Sequence, residues 1–415
     1  MNLNQTLRDS IPFILEGLEA YGYSVEYRNT FRRHMNCVVN YYNAAEIACY
    51  TAGQYEQFLF HVEKEYASGN LRPDLFWSYR KCAYFLDEYS RLGVIVPRML
   101  RRGDKKTLTS IFKESLESYL SSLTPLIRES TIEQRRYAIQ KYLHHFQRLG
   151  YESIDCINVS AVQRYFIYLS AEISNRTLNQ HRLHIRQVHV YLHEIGKFSP
   201  NWLSFFDFKI IVPRKIQGYL TTEEIDSILS QIKTDTNTGK RDFAIVSLAR
   251  TTGLRGCDII NLKLADIDWK LGNITVCQQK TGIAIQLPLL TESGEAVKDY
   301  ILNGRPQTEC REVFVRALAP HTALRSTSSL DALLRKYQKN ANHQQLPWDG
   351  KAFHGTRRGL GRDLILAGVP ITNIMQILGH SHMDSSKPYM MLNTPELKEC
   401  SLDFTGIPVE RGEFL

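Results

Sequence analysis

Over roughly the first two hundred residues, apolar and aromatic positions recur every three or four residues, as in Tyr27, Phe31, Met35, Val38, Val39 and Tyr42. That spacing lays one apolar stripe along one face of a helix and predicts an almost wholly helical front half. Gly and Pro are sparse within these runs. A break falls at Pro97 to Lys106, PRMLRRGDKK, which gathers Arg98, Arg101, Arg102, Lys105 and Lys106. It reads as a basic linker, able to meet DNA or simply to stand in solvent as a charged turn.

The two halves around that break share a pattern. VEYRNTFRRHMNCVVNYYN is matched by TIEQRRYAIQKYLHHFQRLG. The run around Trp77, Tyr79, Arg80, Phe85 and Leu86 is matched by Leu183, Ile185, Arg186, Tyr191 and Leu192, in each case about a hundred residues on. Two small helical domains of one type in tandem are expected. A second boundary is expected at Pro213-Arg214-Lys215, after the aromatic patch Trp202, Phe205, Phe206 and Phe208. Thr221 with Glu224 then fits a capping box and starts a new helix. Alternation predicts two strands, Gly272 to Gln279 and Ile283 to Leu289, forming a hairpin with Lys280 at its tip. From Glu292 onward helix is expected again.

A chain of 415 residues has room for two or three domains. Its composition, 43% hydrophobic and 23% charged, is that of an ordinary globular protein. The net charge of +8 favours a polyanionic partner. Eight cysteines, with no C-x-x-C pair, argue against a zinc site or a disulfide framework and for reduced thiols in a cytosolic protein. The N-terminal residues show no basic stretch followed by an apolar run, and no run reaches about 20 apolar residues, so neither a leader nor a membrane span is expected.

Four segments of the second half carry candidate chemistry: Thr252-Gly253-Leu254-Arg255-Gly256-Cys257-Asp258, Gln279-Lys280-Thr281-Gly282, His354-Gly355-Thr356-Arg357, and Leu378-Gly379-His380 followed by Tyr389. Each is weak alone; their order and spacing are specific. Together they resemble the catalytic domain of the tyrosine recombinase (phage integrase) family, over about residues 219 to 395. The resemblance implies a mainly α fold with a small antiparallel β-sheet in the C-terminal domain, with helical SAM-like DNA-binding domains in front. Residues 1–100 are then an N-terminal helical domain, 107–212 a core-binding domain and 219–415 the catalytic domain with its tail. The family's active-site positions fall on Arg255, Lys280, His354, Arg357, His380 and Tyr389. Two departures stand out: Arg358 follows the His-x-x-Arg where the family usually has His, and Pro388 directly precedes Tyr389. A proline there removes a backbone donor and turns Lys387 away from helix.

These residue types suit attack on a phosphodiester. Arg255 and Arg357 would hold the non-bridging oxygens as charge builds. Tyr389 would attack phosphorus and store the bond energy as a 3′-phosphotyrosyl link, without cofactor or metal. His354 would accept the tyrosine proton, Lys280 would protonate the leaving 5′ oxygen, and His380 would support the transition state. Asp258, three residues past Arg255, is expected to orient it. Apart from Asp384, no nearby Cys or carboxylate joins His380 and His382 to complete a metal site, so none is expected. His189 and His193, four apart on one helix, are expected at the surface or facing DNA for the same reason.

The resemblance also implies a clamp on double-stranded DNA at specific recombination sites, a homo-tetramer on DNA, and accessory recombinases or directionality factors. Arg176, Arg182, Arg186, Arg214 and Lys215 are the candidate DNA contacts. Residues 1–100 would bind further DNA or contact protein. The tail, with Leu397, Leu402 and Phe404 after an N-cap at Thr394, would dock on a neighbour or on its own domain. The expected activity is integration or excision of a mobile element (transposition) in a bacterial, nucleoid-associated cytoplasmic protein. The alternatives are type IB topoisomerase-like relaxation and a catalytically silent DNA-binding protein on the same fold.

Overall fold

The computed structural model describes residues 3–45, 52–96, 108–124, 126–197, 202–212, 217–324, 326–343, 346 and 349–380. The chain divides into two compact units, one formed by residues 101–215 and the other by residues 1–100 with 216–415. Among the described residues no helix is long and apolar enough to cross a membrane.

The first segment holds α1 (Leu3–Ala20), α2 (Val25–Ala44), α3 (Ala52–Ala67) and α4 (Pro73–Leu92). Ser24 accepts the Tyr27 N–H and starts α2, and Gly93, at φ +67°, closes α4. The unit 101–215 holds α5 (Ser110–Leu123), α6 (Glu129–Arg148), α7 (Val159–Glu172) and α8 (Asn175–Glu194). The two sets pack alike. In each, the first helix lies on the second and fourth, the second on the fourth, and the third on the fourth. Buried Met35, Val38, Val39 and Tyr42 of α2 recur in order and spacing as Ile139, Tyr142, Leu143 and Phe146 of α6. Their charge differs sharply. Residues 101–215 carry 18 Lys and Arg against 10 Asp and Glu, whereas residues 1–100 carry 10 against 11.

The aromatic patch at 202–208 belongs to the core of the second set, with Phe206 buried and Trp202, Phe205 and Phe208 packed beside it. His189 is there too and corrects the expectation of a surface or DNA-facing residue. It is 0% exposed, hydrogen-bonds the Tyr142 hydroxyl at 2.9 Å and lies against Trp202 and Phe206. Burial pushes its pKa down to about 3, so it is a neutral core group. His193 is exposed, as expected.

Residues 217–380 build a third core. They form α9 (Thr222–Ser230), α10 (Asn237–Thr252), α11 (Gly256–Ile260), β1 (Ile267–Asp268), β2 (Asn273–Cys277), β3 (Ala284–Pro288), α12 (Thr291–Asn303), α13 (Ser328–Asn340), α14 (His354–Leu366) and α15 (Ile371–Leu378). The capping box at Thr221 and Glu224 is present. The three strands form an antiparallel sheet in the order β1-β2-β3. Ile274 pairs with Leu287 and Val276 with Ile285, and these four fill the buried face. Strand β1, only two residues long, is too short to announce itself by alternation.

Residues 217–220 lie directly across α14. Leu220 N–H donates to the Gly355 carbonyl at 3.2 Å. A Cβ at Gly359 would stand 2.1 Å from the Leu220 oxygen, so only glycine lets the two backbones meet. Arg358 fastens this crossing. Its Nε donates to the Gly218 carbonyl at 2.7 Å, its Nη1 to Gln217 Oε1 at 3.0 Å, and its Nη2 to the Gly350 carbonyl. The departure from the family's histidine at this position is therefore a packing residue.

Candidate active site

Three chain reversals bring the candidate residues to one place. Helix α10 ends at Gly253, whose φ of +61° turns the chain so that Arg255 stands at the N-cap of α11. The β2–β3 turn, closed by Gln278 N–H to the Ile283 carbonyl at 2.9 Å, puts exposed Lys280 at its tip. Helix α15 ends at Gly379, at φ +60°, and the reversal presents His380, whose N–H donates to the Met375 carbonyl at 2.8 Å. Helix α14 begins at His354 and carries Arg357 one turn on.

Arg357 is 1% exposed, the largest side chain so deeply buried among the described residues. Its Nη1 donates to the Gly253 carbonyl at 2.8 Å and its Nη2 to the Leu378 carbonyl at 2.5 Å and to Nε2 of His380 at 2.8 Å. One guanidinium thus ties together the turns that deliver Arg255 and His380. Arg255, half-buried, donates from Nη1 to Gln278 Oε1. Asp258 does not orient it. The Asp258 carboxylate instead accepts the Gln279 N–H at 2.9 Å, next to Lys280, and its other oxygen is buried with no partner among the described residues. It steadies the hairpin instead.

The electrostatics confirm the convergence. His354 has its edge open to solvent, but protein crowds the ring. That crowding, ahead of the charges of Arg358, Arg357, Arg255 and Lys280, pushes its pKa down to about 4. His380 is pushed down to about 4 by burial and then by Arg357, Arg255 and Lys280. Both rings are neutral at pH 7, and both feel Arg255, Arg357 and Lys280. Neutral imidazoles among fixed cations make a cluster able to take up a phosphate and to accept a proton beside it. Tyr389, with Pro388 and the tail from Ser381, lies outside the described residues, as do Arg214 and Lys215.

In the unit 101–215, Arg176 is exposed on the first turn of α8. Arg182 is bound into the fold: Nη1 donates to the Phe206 carbonyl, Nε to Asn179 Oδ1 at 3.1 Å, and the guanidinium lies over the Phe208 ring at 5.4 Å. Arg186 pairs with Asp207 at 3.2 Å in a partly exposed ion pair.

Residues 218–395 match the model of the phage integrase family. A Sinorhizobium fredii (strain NBRC 101917 / NGR234) protein named as an integrase/recombinase, y4gC, is 36% identical over 191 residues, covering 46% of this chain and 97% of that protein. The chain belongs to the tyrosine recombinase family. As a tyrosine-type site-specific recombinase it also resembles y4rF of the same organism, at 26% identity over 302 residues, 70% of this chain and 69% of that protein. Tyrosine recombinase XerA of Pyrococcus furiosus (strain ATCC 43587 / DSM 3638 / JCM 8422 / Vc1) is 29% identical over 192 residues, 45% of this chain and 62% of XerA. Two solved structures share the recombinase fold. A lambda integrase(75-356) dimer bound to a COC′ core site gives a TM-score of 0.53 at 17% identity, over 73% of this chain and 99% of that one. The Tn1549 transposon integrase in complex with transposon right end DNA gives 0.53 at 16% identity, over 69% and 99%.

Sequence reasoning missed the network behind these residues: Gln278, the carbonyls of Gly253 and Leu378, and the task of Arg358. Only Gln278 left a signal. It continues the inward face of Ile274 and Val276, so a polar side chain sits where the alternation calls for an apolar one.

Proposed function

We propose that this recombinase cuts and rejoins double-stranded DNA at specific sites through a 3′-phosphotyrosyl link at Tyr389, and so integrates or excises a mobile element. The observation that carries this reading is the single cationic cleft shared by Arg255, Lys280, His354, Arg357 and His380. In it Arg255 is the arginine more open to a phosphate oxygen, while Arg357 organises the backbone around it. Neutral His354 takes the proton from Tyr389, whose free hydroxyl has a pKa near ~10. Lys280, on the exposed hairpin tip, delivers a proton to the 5′ oxygen that leaves. His380, held by Arg357 with its ring proton on Nδ1, braces the phosphate side of the cleft.

DNA is the partner the structural neighbours' complexes suggest, and the cationic excess of residues 101–215 supports main phosphate contacts there. Arg176 faces solvent for that role, Arg186 would exchange its Asp207 partner for a phosphate, and Arg214 and Lys215 complete the proposed set, whereas Arg182 serves the fold first. The near-neutral N-terminal helical domain is assigned to protein contacts. The homo-tetramer, the tail exchange between protomers and any accessory factors belong to the same proposal. Its test is a nicked suicide duplex. Wild-type protein should accumulate a covalent adduct, and Tyr389→Phe should form none; undiminished adduct in the variant sinks the assignment.

A further inference from the structure

Gln278 follows β2 and is 0% exposed. Its side chain meets three different parts of the cleft. Oε1 accepts from Arg255 Nη1 and from Thr281 Oγ1, the latter at 3.1 Å, and Nε2 donates to the Leu378 carbonyl at 3.1 Å. That carbonyl is the one Arg357 also grips. Its own backbone closes the turn, accepting the Gly282 N–H at 2.8 Å. Gly379 makes room for it: a Cβ there would stand 2.3 Å from Nε2.

We propose that Gln278 is a positioning residue for strand cleavage, fixing Arg255, the Lys280 hairpin and the His380 turn relative to one another. The inference rests on the recombination reading of this cleft. An amide is the side chain that the site demands. The guanidinium and the hydroxyl both need an acceptor, and the Leu378 carbonyl needs a donor, all from one buried group. A carboxylate would satisfy the first two and repel the third. A thioether of the same length would satisfy none. Displacing catalytic groups by about 1 Å can cost on the order of 10²-fold in rate while leaving DNA affinity, which is spread over many phosphates, almost unchanged.

The test begins with wild-type protein and a randomised pool of nicked duplexes, from which the sequence giving covalent adducts is selected. That duplex then serves every variant. Single-turnover cleavage at saturating protein is compared with binding measured by gel shift. Gln278→Met is expected to slow cleavage about 10²-fold with affinity within about twofold. Gln278→Glu, which keeps the Arg255 and Thr281 arm, is expected to recover part of that loss, to about tenfold below wild type. Thr281→Val, in the partly exposed turn, should slow cleavage about three- to tenfold without touching the core; it decides the matter if the Met variant does not fold. Wild-type cleavage rates in folded Gln278→Met, or in Thr281→Val beside a Met variant that does not fold, overturn the proposal, as do rate and affinity falling together with Glu no better than Met. A wild-type protein that selects no duplex overturns the recombination reading and this inference with it, whereas equal cleavage by wild type and variants overturns this inference alone.

Discussion

Arg357 donates from Nη2 to Nε2 of His380 across 2.8 Å. Arginine has no lone pair to offer, so the imidazole must be the acceptor and its ring proton must sit on Nδ1. A second proton on His380 would have to displace the buried guanidinium. In DNA-free protein both His380 and His354 should therefore titrate near pH 4 by NMR, well below 6.5. Phosphate in the cleft should raise both. Midpoints near 6.5 without DNA would show that the cations do not share the cleft.

Substituting Arg357 tests its double duty. Lysine keeps the charge but has no planar fork to reach the Gly253 carbonyl, the Leu378 carbonyl and His380 together. Arg357→Lys should lose about 2–4 kcal/mol of stability in urea melts, since hydrogen bonds to a buried charge are worth about 1.5–3 kcal/mol each and only some survive. Adduct formation should fall further than that stability loss explains. A variant that cleaves at the wild-type rate would refute the bracing role.

Gly359→Ala tests the crossing of residues 217–220 over α14. The added Cβ meets the Leu220 carbonyl oxygen, a backbone atom that no rotamer change can move. A loss of about 1–3 kcal/mol is expected from overpacking, read as a lower thermal midpoint. Ala at Gly272, where nothing lies within 4 Å but φ is +63°, should show the smaller cost of a left-handed turn alone.

His189 sets part of the acid limit of stability. Its pKa is about 3 in the fold and near ~6.5 in the unfolded chain. Between those values the unfolded state holds the extra proton, so stability is full above pH 6.5 and is lost as pH falls toward 3. The slope from this group alone is about 1.4 kcal/mol per pH unit. His189→Phe should lose that slope between pH 6 and 4 in denaturant midpoints, after a constant cost for the abandoned Tyr142 hydroxyl. Parallel wild-type and variant curves would count against it.

On DNA, Arg176→Ala and Arg182→Ala should fail differently. Arg176 is exposed, so its loss should lower the salt slope of log Kd by about one and leave the thermal midpoint alone. Arg182 holds the Phe206 carbonyl and Asn179, so its loss should lower the midpoint as well. Equal midpoints would return Arg182 to the DNA surface.

Much of this was legible in residue order. Periodicity fixes the helices because a 3.6-residue stripe must face a core, and the Thr221–Glu224 box and the Lys280 hairpin follow from local chemistry. The candidate set stood out because its spacing resembles that of a known family. What pattern alone conceals is the partner of each polar group. His189 looked like a surface residue because its partner Tyr142 lies 47 positions away. Asp258 looked like a brace for Arg255 because nearness in sequence suggested it, yet its oxygen turns to the hairpin. Arg358 showed only as a departure from the family pattern because the carbonyls it serves are 140 and 8 residues distant.

The clamp made by Arg358 bears on how such a protein can move. Gln217 and Gly218 are held to α14, the helix that begins with His354, so they travel with the candidate site residues of that helix. A pull on the chain from before residue 217 arrives at α14 as a tug on a fixed anchor at Arg358, the residue next to Arg357.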